Sequence, residues 1–136
     1  MAGYSGTTLE KKLGIRENFK IRLINIPDNY FGLFSDFPQN IQIIRDAGIK
    51  KNFIHYFTRD SKELCSLLPI LKDEIELNGM IWISWPKKSS TILTDLTEDF
   101  IRSYALKIGL VDIKVCAVDE TWSGLKFVIP VKHRVP

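Results

Sequence analysis

Residues 78–86 are Asn78-Gly79-Met80-Ile81-Trp82-Ile83-Ser84-Trp85-Pro86. The apolar run from Met80 to Trp85 is typical of a strand that is buried on both faces of a mostly parallel sheet. Asn78-Gly79 is a turn sequence and is expected to end the preceding helix. Pro86 stops the strand, because proline has no amide to donate to a neighbouring strand. We therefore expect this strand at the centre of an α/β fold.

The residues before this strand predict a helix, three strands and a second helix. Thr7-Thr8-Leu9-Glu10 is a capping pattern for a short helix that ends at Gly14. Residues rich in β-branched and aromatic side chains predict the strands, at 19–26, 41–44 and 53–57, with a helical turn at 30–35 between the first two.

The second helix begins at Asp60, which forms a capping-box pattern with Glu63. Apolar residues then recur at the three- and four-residue spacing of a core-facing helix, namely Leu64, Leu67, Leu68, Leu71 and Ile75. Pro69 lies inside this helix, where it removes an amide and crowds the carbonyl of Cys65, so we expect a kink.

A third helix and a hairpin follow the central strand. Residues 95–98 cap the helix, and its buried side is expected to hold Phe100, Ile101, Tyr104, Ala105 and Ile108. Residues 111–118 and 125–131 then alternate with a period of two on either side of residues 119–124, which predicts an antiparallel hairpin. The expected fold is a three-layer α/β domain spanning residues 1–136, with a Rossmann-like mixed sheet and helices on both faces.

Composition narrows the function classes. The chain has 136 residues and a formal charge of +3, and no apolar run approaches the ~20 residues that a membrane-spanning helix needs. The first seven residues lack the pattern of a secretory signal, so we expect a cytoplasmic protein. Cys65 and Cys116 are far apart and without metal-ligand spacing, which favours free thiols over a metal site or a disulfide. The mild positive charge permits nucleic-acid binding without indicating it.

The order of elements resembles the C-terminal half of class I S-adenosylmethionine-dependent methyltransferases. The resemblance rests on a strand, a helix, a central strand and a hairpin, at residues 53–57, 64–77, 78–86 and 109–131. The family has a Pro-Gly-Gly-like turn between helix and strand, to which Leu77-Asn78-Gly79-Met80 is similar. The resemblance implies a methyltransferase-like fold.

The whole chain also resembles a bacterial family of small proteins of unknown function. The matching runs are Tyr4-Ser5-Gly6-Thr7, Lys11-Lys12-Leu13-Gly14-Ile15, and residues 84–90, 94–99 and 115–126. That family implies no activity for the chain.

The cofactor-binding pattern of the methyltransferases is not reproduced. In that family a glycine-rich turn follows the first strand, whereas residues 25–32 here contain Pro27 and a single glycine, Gly32. An acidic residue after the second strand would hold the cofactor's ribose. Asp46 is the candidate for that role, and the alternative is a solvated turn carboxylate.

Polar and aromatic residues follow the predicted strands. In an open, mostly parallel sheet, ligands bind outside the carboxyl ends of the strands. The residues expected at this rim are Asn25, Pro27, Asp28, Asn29, Thr58, Arg59, Trp85, Lys87, Lys88, Ser89, Ser90, Asp119, Glu120 and Trp122. Lysine and serine suit an anion and tryptophan stacks on a planar group. In the alternative interpretation the tryptophans complete the core and the lysines lie in a solvated loop.

Catalytic patterns are sparse. Asp119-Glu120 is a candidate general acid/base pair, although turn carboxylates usually bind backbone amides. His55 lies among apolar residues and is expected to be a core histidine bonded to a carbonyl, and His133 carries little information. No spacing indicates a nucleophile with its base or a phosphate-cradling loop.

Three functions remain open. The leading hypothesis is a non-catalytic or degenerate methyltransferase-like module that binds a small anionic ligand or a protein partner at the rim. The second is an S-adenosylmethionine-dependent transferase, with Asp28 or Asp46 at the cofactor and Trp85, Lys87 and Asp119 at the substrate. The third is a weak nucleic-acid-binding protein that uses Lys87, Lys88 and Arg59, with tryptophan stacking. The sequence assigns no cofactor, metal or oligomeric state.

Overall fold

A six-stranded mixed sheet forms the centre of the computed structural model, which describes residues 6–134. The strands are β1 (Lys20–Ile24), β2 (Gln42–Ile43), β3 (Lys51–Phe57), β4 (Ile75–Pro86), β5 (Val111–Ala117) and β6 (Trp122–Val128). Their order across the sheet is β2-β1-β3-β4-β6-β5. Strands β1 to β4 are parallel, and β6 is antiparallel to both β4 and β5. The predicted α/β class, mixed sheet and C-terminal hairpin are confirmed. Tyr4 and Ser5 of the first matching run lie outside the described residues.

Helices cover both faces of the sheet. They are α1 (Leu9–Leu13), α2 (Ser61–Lys72) and α3 (Glu98–Lys107), with short 3-10 helices at Tyr30–Leu33 and Val131–His133. Side chains of α2 and α3 pack on one face of the sheet, which we call the α2–α3 face, against Ile54, Ile81 and Leu125. The other face, the α1 face, packs Ile21, Phe53 and Trp82 against α1 and the segment after β1. The predicted three layers are therefore present.

Strand β4 sends its side chains alternately into both layers. Ile81 and Ile83 enter the core of the α2–α3 face, whereas Trp82 is fully buried on the α1 face. The indole Nε1 of Trp82 donates a 2.8 Å hydrogen bond to the carbonyl of Leu13, which fixes the end of α1 on the sheet. Gly124 lies beneath the indole, and a Cβ there would come within 3.1 Å of the ring. The close approach of β6 to Trp82 therefore requires a residue without a side chain.

The boundary between α2 and β4 differs from the prediction. Helix α2 ends at Lys72, and β4 begins at Ile75, so Asn78-Gly79 lies inside the strand rather than ending the helix. The amide of Lys51 donates to the carbonyl of Glu74, and Ile75 pairs with Lys51. The ladder resumes with Phe53 opposite Met80, and residues 76–78 bulge into solvent. Pairing with β3 has overridden the local turn preference.

One prediction for α3 was wrong and one is confirmed. Thr97, one of the predicted capping residues 95–98, caps this helix, because its hydroxyl accepts from the amide of Phe100 at 3.1 Å. Asp95 instead accepts hydrogen bonds from Ser61 at the start of α2. Phe100, predicted on the buried side, is 40% exposed, because the stripe that faces the sheet runs through Ile101 and Ala105.

Strand β1 and the hairpin turn are shorter than predicted. Strand β1 ends at Ile24, because Asn25 adopts a left-handed conformation with φ of 58°. The hairpin turn is also shorter, since Trp122 already pairs with Pro86. Helix α1 starts after Thr8, whose side chain makes no capping bond. Glu10 instead accepts hydrogen bonds from the amides of Ser35 and Asp36 and so ties α1 to the segment after β1.

A buried ion cluster occupies the amino end of the sheet. Glu74 accepts from Arg22 at 2.7 Å and from Lys51 at 2.8 Å, and the Lys51 side chain is fully buried. Burial by itself raises the pKa of Glu74. The hydrogen bonds from Lys51 and Arg22 outweigh burial and hold that pKa below its ordinary value. The cluster lies far from the carboxyl rim and joins β1, β3 and the start of β4.

Candidate functional site

The carboxyl ends of β1, β3 and β4 meet at one rim of the sheet. The side-chain amide of Asn25 donates to the carbonyl of Phe57 at 3.0 Å, which links the ends of β1 and β3. The amide of Lys87 donates to the carbonyl of Thr121 at 2.8 Å, which links the end of β4 to the turn before β6. The predicted rim is therefore a continuous edge of the structure.

Trp85 and Trp122 face opposite sides of this rim. Trp85 is 6% exposed and belongs to the core of the α2–α3 face. Trp122 packs on the α1 face, with its ring edge-on to Phe57 at 5.1 Å between centroids. The two tryptophans therefore cannot clamp one ligand, and the residues predicted to form one site are divided between two cavities.

The larger cavity, of about 850 Å³, lies between the end of β4 and the start of α3, and we call it the β4 cavity. Four predicted residues line it: Trp85, Lys87, Lys88 and Ser90. Residues that the sequence did not indicate complete its wall, namely Pro86, Ile92, Leu93, Thr94, Leu96, Thr97, Glu98, Asp99 and Ser123. Ser89 is exposed and does not line it.

The lysines of the β4 cavity form no ion pair within residues 6–134. Glu98 and Asp99 also line the cavity, but both bind Arg102, at 2.5 Å and 3.4 Å. Neither the Lys87 nor the Lys88 ammonium group has a hydrogen-bond or ion-pair partner within residues 6–134. The cavity therefore offers two cations and a hydroxyl beside an apolar wall, which suits a small anion.

The smaller cavity, of about 330 Å³, lies at the end of β3, and we call it the β3 cavity. It is lined by Asn25, Phe57, Thr58, Arg59, Asp60, Glu63 and Trp122. Glu63 accepts from the amide of Asn25 at 3.1 Å and from the Tyr56 hydroxyl at 2.8 Å. Burial and the hydrogen bond to Glu63 raise the pKa of Tyr56. Much of the polar lining is thus engaged in internal contacts, while the exposed Arg59 guanidinium has no partner within the described part of the chain.

Residues 94 and 95 connect the wall of the β4 cavity to the residues around the β3 cavity. The Thr94 hydroxyl donates to the carbonyl of Arg59 at 2.8 Å. Asp95 accepts from the amide and the hydroxyl of Ser61, at 2.8 Å and 2.6 Å. These hydrogen bonds from Ser61 lower the pKa of Asp95. The loop that forms one wall of the β4 cavity is therefore fixed to the first turn of α2.

The segment after β1 packs against the α1 face. Tyr30 is fully buried and makes edge-on ring contacts with Phe34 and Phe57. Asp28 is exposed, and the cavities described above do not include it. Aromatic packing thus occupies the region where the methyltransferase family has its glycine-rich turn.

Asp46 does not reach the rim. Strand β2 has only two residues, and Ile43 pairs with Ile21 near the start of β1. The Asp46 carboxylate accepts from the amide of Gly48 at 2.8 Å, and its carbonyl accepts from the buried Lys51 ammonium. Asp46 is therefore a turn carboxylate near the amino end of β3, which corresponds to the alternative given for it above.

Asp119 and Glu120 do not form a paired acid and base. One carboxylate oxygen of Asp119 accepts from the amides of Thr121 and Trp122, each at 2.8 Å. Glu120 is exposed and lines neither cavity. Asp119 stabilises the hairpin turn, as turn carboxylates commonly do.

A buried hydrogen-bonded chain lies beneath the rim. The Tyr30 hydroxyl is 2.9 Å from His55 Nδ1, and His55 Nε2 is 2.8 Å from the Ser84 hydroxyl. All three residues are fully buried, and burial lowers the pKa of His55 to about 3. His55 is thus a neutral core histidine, as predicted, but it binds hydroxyl groups rather than a carbonyl. Ser84, the only polar residue in the apolar run of residues 80–85, was the available indication of this partner.

Metal and membrane features are absent from the described residues. No group of three or more histidine, cysteine, aspartate and glutamate side chains within residues 6–134 is arranged to hold a metal ion. Over the same residues, no helix has the length and apolar character needed to cross a bilayer. Cys65 and Cys116 are free thiols, and burial raises the pKa of Cys116.

Solved structures that share this fold include S-adenosylmethionine-dependent methyltransferases. A SAM dependent methyltransferase from Aquifex aeolicus superimposes with a TM-score of 0.61 and 12% identity, over 88% of this chain and 87% of that one. The DhpI-SAH complex gives a TM-score of 0.61 and 7% identity, over 91% and 83% of the two chains. Magnesium protoporphyrin IX methyltransferase (ChlM) from Synechocystis PCC 6803 with bound SAH gives 0.58 and 9%, over 84% and 75%.

No family model and no curated protein sequence matches the chain. At these low identities the similar structures establish the methyltransferase-like fold and leave the function to be argued from the site.

Proposed function

We propose that this chain is a methyltransferase-fold binding module that holds a small anionic ligand in the β4 cavity and does not transfer a methyl group. The proposal rests on Lys87 and Lys88, which line the largest cavity of the rim and form no ion pair within residues 6–134. Arg102 binds the two carboxylates that share the cavity, so Lys87 and Lys88 remain available as cationic groups for an entering anion.

The cofactor end of the rim supports a binding function rather than methyl transfer. Tyr30 fills the space behind the first strand, and Asn25 is hydrogen-bonded to Phe57 and Glu63. Asp46, the candidate for the ribose, binds Gly48 near the opposite end of the sheet. The turn after the first strand and the candidate ribose-binding carboxylate are thus both engaged in internal contacts.

The dimensions of the β4 cavity favour a small organic anion. Its volume of about 850 Å³ falls in the range of roughly 300–1,000 Å³ that is usual for small-molecule sites. Lys87 and Lys88 would neutralise an anionic group, and the Ser90 hydroxyl has a proton to donate to it while its oxygen accepts from the amide of Ile92. A nucleoside monophosphate combines a charged group with a planar ring and is therefore a suitable probe.

The experiment is calorimetric titration with AMP and with adenosine, its neutral counterpart. We expect AMP to bind and adenosine to bind at least about tenfold more weakly, because the phosphate supplies the interaction with the lysines. The double variant Lys87→Gln/Lys88→Gln should weaken AMP binding by about tenfold or more, because it removes both cations of the cavity. Lys107→Gln serves as the control, because Lys107 is exposed in the last turn of α3 and lines neither cavity. Absence of heat with AMP up to millimolar concentration contradicts the proposal and redirects the search to a protein partner.

The fold similarity favours a second candidate, an S-adenosylmethionine-dependent transferase. In that case the β3 cavity, with Asn25 and Trp122, is the remaining place for the cofactor. Titration with S-adenosylmethionine and S-adenosylhomocysteine tests this candidate directly. Micromolar binding that is weakened by Trp122→Ala would establish it in place of the binding module. A single-stranded oligonucleotide, bound with a steep salt dependence that Lys87→Gln/Lys88→Gln removes, would instead support the nucleic-acid function.

A further inference from the structure

Four cationic residues converge on the α1 face, away from both rim cavities. Lys12 and Arg16 belong to α1 and the turn after it, Lys114 lies on β5 and Lys126 lies on β6. Lys126 pairs with Trp82, in the middle of β4. We call these four residues the basic cluster. The basic cluster could not be predicted from the sequence, because Lys12 and Lys126 are 114 positions apart.

The central pair of the basic cluster places two like charges opposite each other. Lys114 and Lys126 are directly opposite each other in the antiparallel ladder between β5 and β6. Like charges in this position repel and weaken the strand pair. The Lys114 ammonium donates to the carbonyl of Lys12 at 2.9 Å, which holds it over the end of α1.

Lys126 is half-buried on the α1 face. Its Nζ lies 3.6 Å from the position that a Cβ on Gly14 would occupy, and Gly14 adopts φ of 83°. Burial, together with the charges of Lys114 and Arg16, lowers the pKa of Lys126. No hydrogen bond or ion pair to its ammonium occurs within residues 6–134.

Within residues 6–134, no carboxylate forms an ion pair with the basic cluster, although Arg16 lines a cavity together with Glu10, Glu17 and Asp36. The ion pairs of the described residues use Glu74, Glu98, Asp99 and Asp112, none of them with a member of this cluster. Glu17 follows Arg16 in the chain, but it is exposed and forms no ion pair with the cluster. Apart from the hydrogen bond from Lys114 to the carbonyl of Lys12, the ammonium and guanidinium groups of the cluster have no acceptor within residues 6–134.

We propose that the basic cluster is a phosphate-binding site, in which Lys126, Lys114 and Arg16 surround one phosphate group. A bound anion would convert the repulsion between the two lysines into attraction to a common partner. The planar fork of the Arg16 guanidinium suits two phosphate oxygens. Gly14 leaves the approach to Lys126 unobstructed, because it has no side chain. The phosphate can belong to a small phosphorylated compound or to a nucleic-acid backbone, which present the same group.

The test is calorimetric titration of the full chain with pyrophosphate at low ionic strength. We expect saturable binding that Lys126→Gln weakens by about tenfold or more, since it removes a charge-assisted hydrogen bond. Arg16→Gln should weaken it similarly, and Lys126→Arg should retain it because the charge is kept. Lys107→Gln should bind as the unmodified chain does.

A folding control separates loss of the site from loss of the fold. Lys126→Gln removes a like-charge contact, so its unfolding temperature should equal or exceed that of the unmodified chain. In the Lys87→Gln/Lys88→Gln background, which removes anion binding at the rim, pyrophosphate should raise the unfolding temperature, and adding Lys126→Gln should abolish this rise. Equal binding by both proteins, or no heat up to millimolar pyrophosphate, would overturn the proposal.

Titrations with an oligonucleotide identify the source of the phosphate, and a rim variant distinguishes this site from the β4 cavity. An oligonucleotide that binds more tightly than pyrophosphate, with affinity that falls steeply with salt and is lost in Lys126→Gln, identifies a nucleic-acid backbone. An oligonucleotide that binds no more tightly than pyrophosphate identifies a small phosphorylated compound. Lys87→Gln/Lys88→Gln should leave pyrophosphate binding intact, so either proposal can fail without the other.

Discussion

The hydroxyl of Tyr104 donates a 2.8 Å hydrogen bond to the backbone carbonyl of Cys65, although the two residues belong to different helices. In an uninterrupted helix this carbonyl would accept from the amide four residues later, but that residue is Pro69, which has none. Helix α3 thus supplies a donor that the sequence of α2 lacks. The hydrogen bond couples the two helices that cover the same face of the sheet.

Replacing Tyr104 with Phe should lower the free energy of unfolding by about 1 kcal/mol, since the Cys65 carbonyl loses its donor. In a Pro69→Ala background the same replacement should cost less, because the restored amide supplies a helical hydrogen bond. Urea denaturation of the four proteins in this double-mutant cycle measures the difference. Equal costs in both backgrounds would show that Tyr104 does not compensate for the proline.

The free energy of unfolding should decrease as the pH falls from 7 to 5, which is above the range in which most carboxylates titrate. Burial lowers the pKa of His55 to about 3 from an ordinary 6.5, so the unfolded chain binds the extra proton between these values. The contribution of His55 is therefore complete above about pH 6.5 and decreases as the pH falls towards 3, by about 1.4 kcal/mol per pH unit well below 6.5.

Urea denaturation at several values between pH 5 and pH 7 measures this slope before the carboxylates contribute. His55→Gln should be less stable at pH 7, and its stability should depend much less on pH in the same interval. A slope that is unchanged in His55→Gln would assign the effect to other groups.

The buried ion cluster should respond unequally to removal of its members. Glu74→Gln leaves the Lys51 charge buried without an anionic partner and should lower the free energy of unfolding by about 3–5 kcal/mol. Arg22→Gln should cost less, because the Arg22 side chain is 23% exposed and Lys51 continues to neutralise Glu74. Chemical denaturation measures both variants, and a larger cost for Arg22→Gln would contradict this assignment.

Gly124→Ala should destabilise the protein by about 1–3 kcal/mol, because the new methyl group would lie 3.1 Å from the Trp82 ring and 3.3 Å from Val118. Gly32→Ala is a matched control, since a Cβ there would meet nothing within 4 Å. Thermal unfolding of the two variants gives the comparison. A loss of stability in Gly32→Ala as large as that in Gly124→Ala would show that close packing against Trp82 is not the cause.

The sheet could be predicted from the sequence where burial produces a local pattern. The apolar run ending at Trp85 and the leucine stripe of α2 depend on spacing within a few residues, and both elements form as expected. Ile75 could not be assigned in this way. It continues the helical spacing but pairs with Lys51, a residue that is distant in sequence.

The sequence predicted that some residues would lie at the rim but did not predict how they are arranged. Strand ends indicated Lys87, Lys88 and Trp122, which do lie at the rim. Their division between two cavities depends on the register of β6 against β4, which places Trp122 opposite Pro86. Asp46 was misplaced because the sequence does not reveal that β2 ends after two residues.

The hydrogen bond from Trp82 to Leu13 joins residues that are 69 positions apart. This separation affects when α1 can dock on the sheet during synthesis. A helix of five residues is too short to persist alone in water. Helix α1 leaves the ribosome before its anchoring strand, so we expect residues 9–13 to remain unstructured until β4 has emerged. Helix α1 precedes α2 and α3 in the chain and is nevertheless expected to dock no earlier than β4.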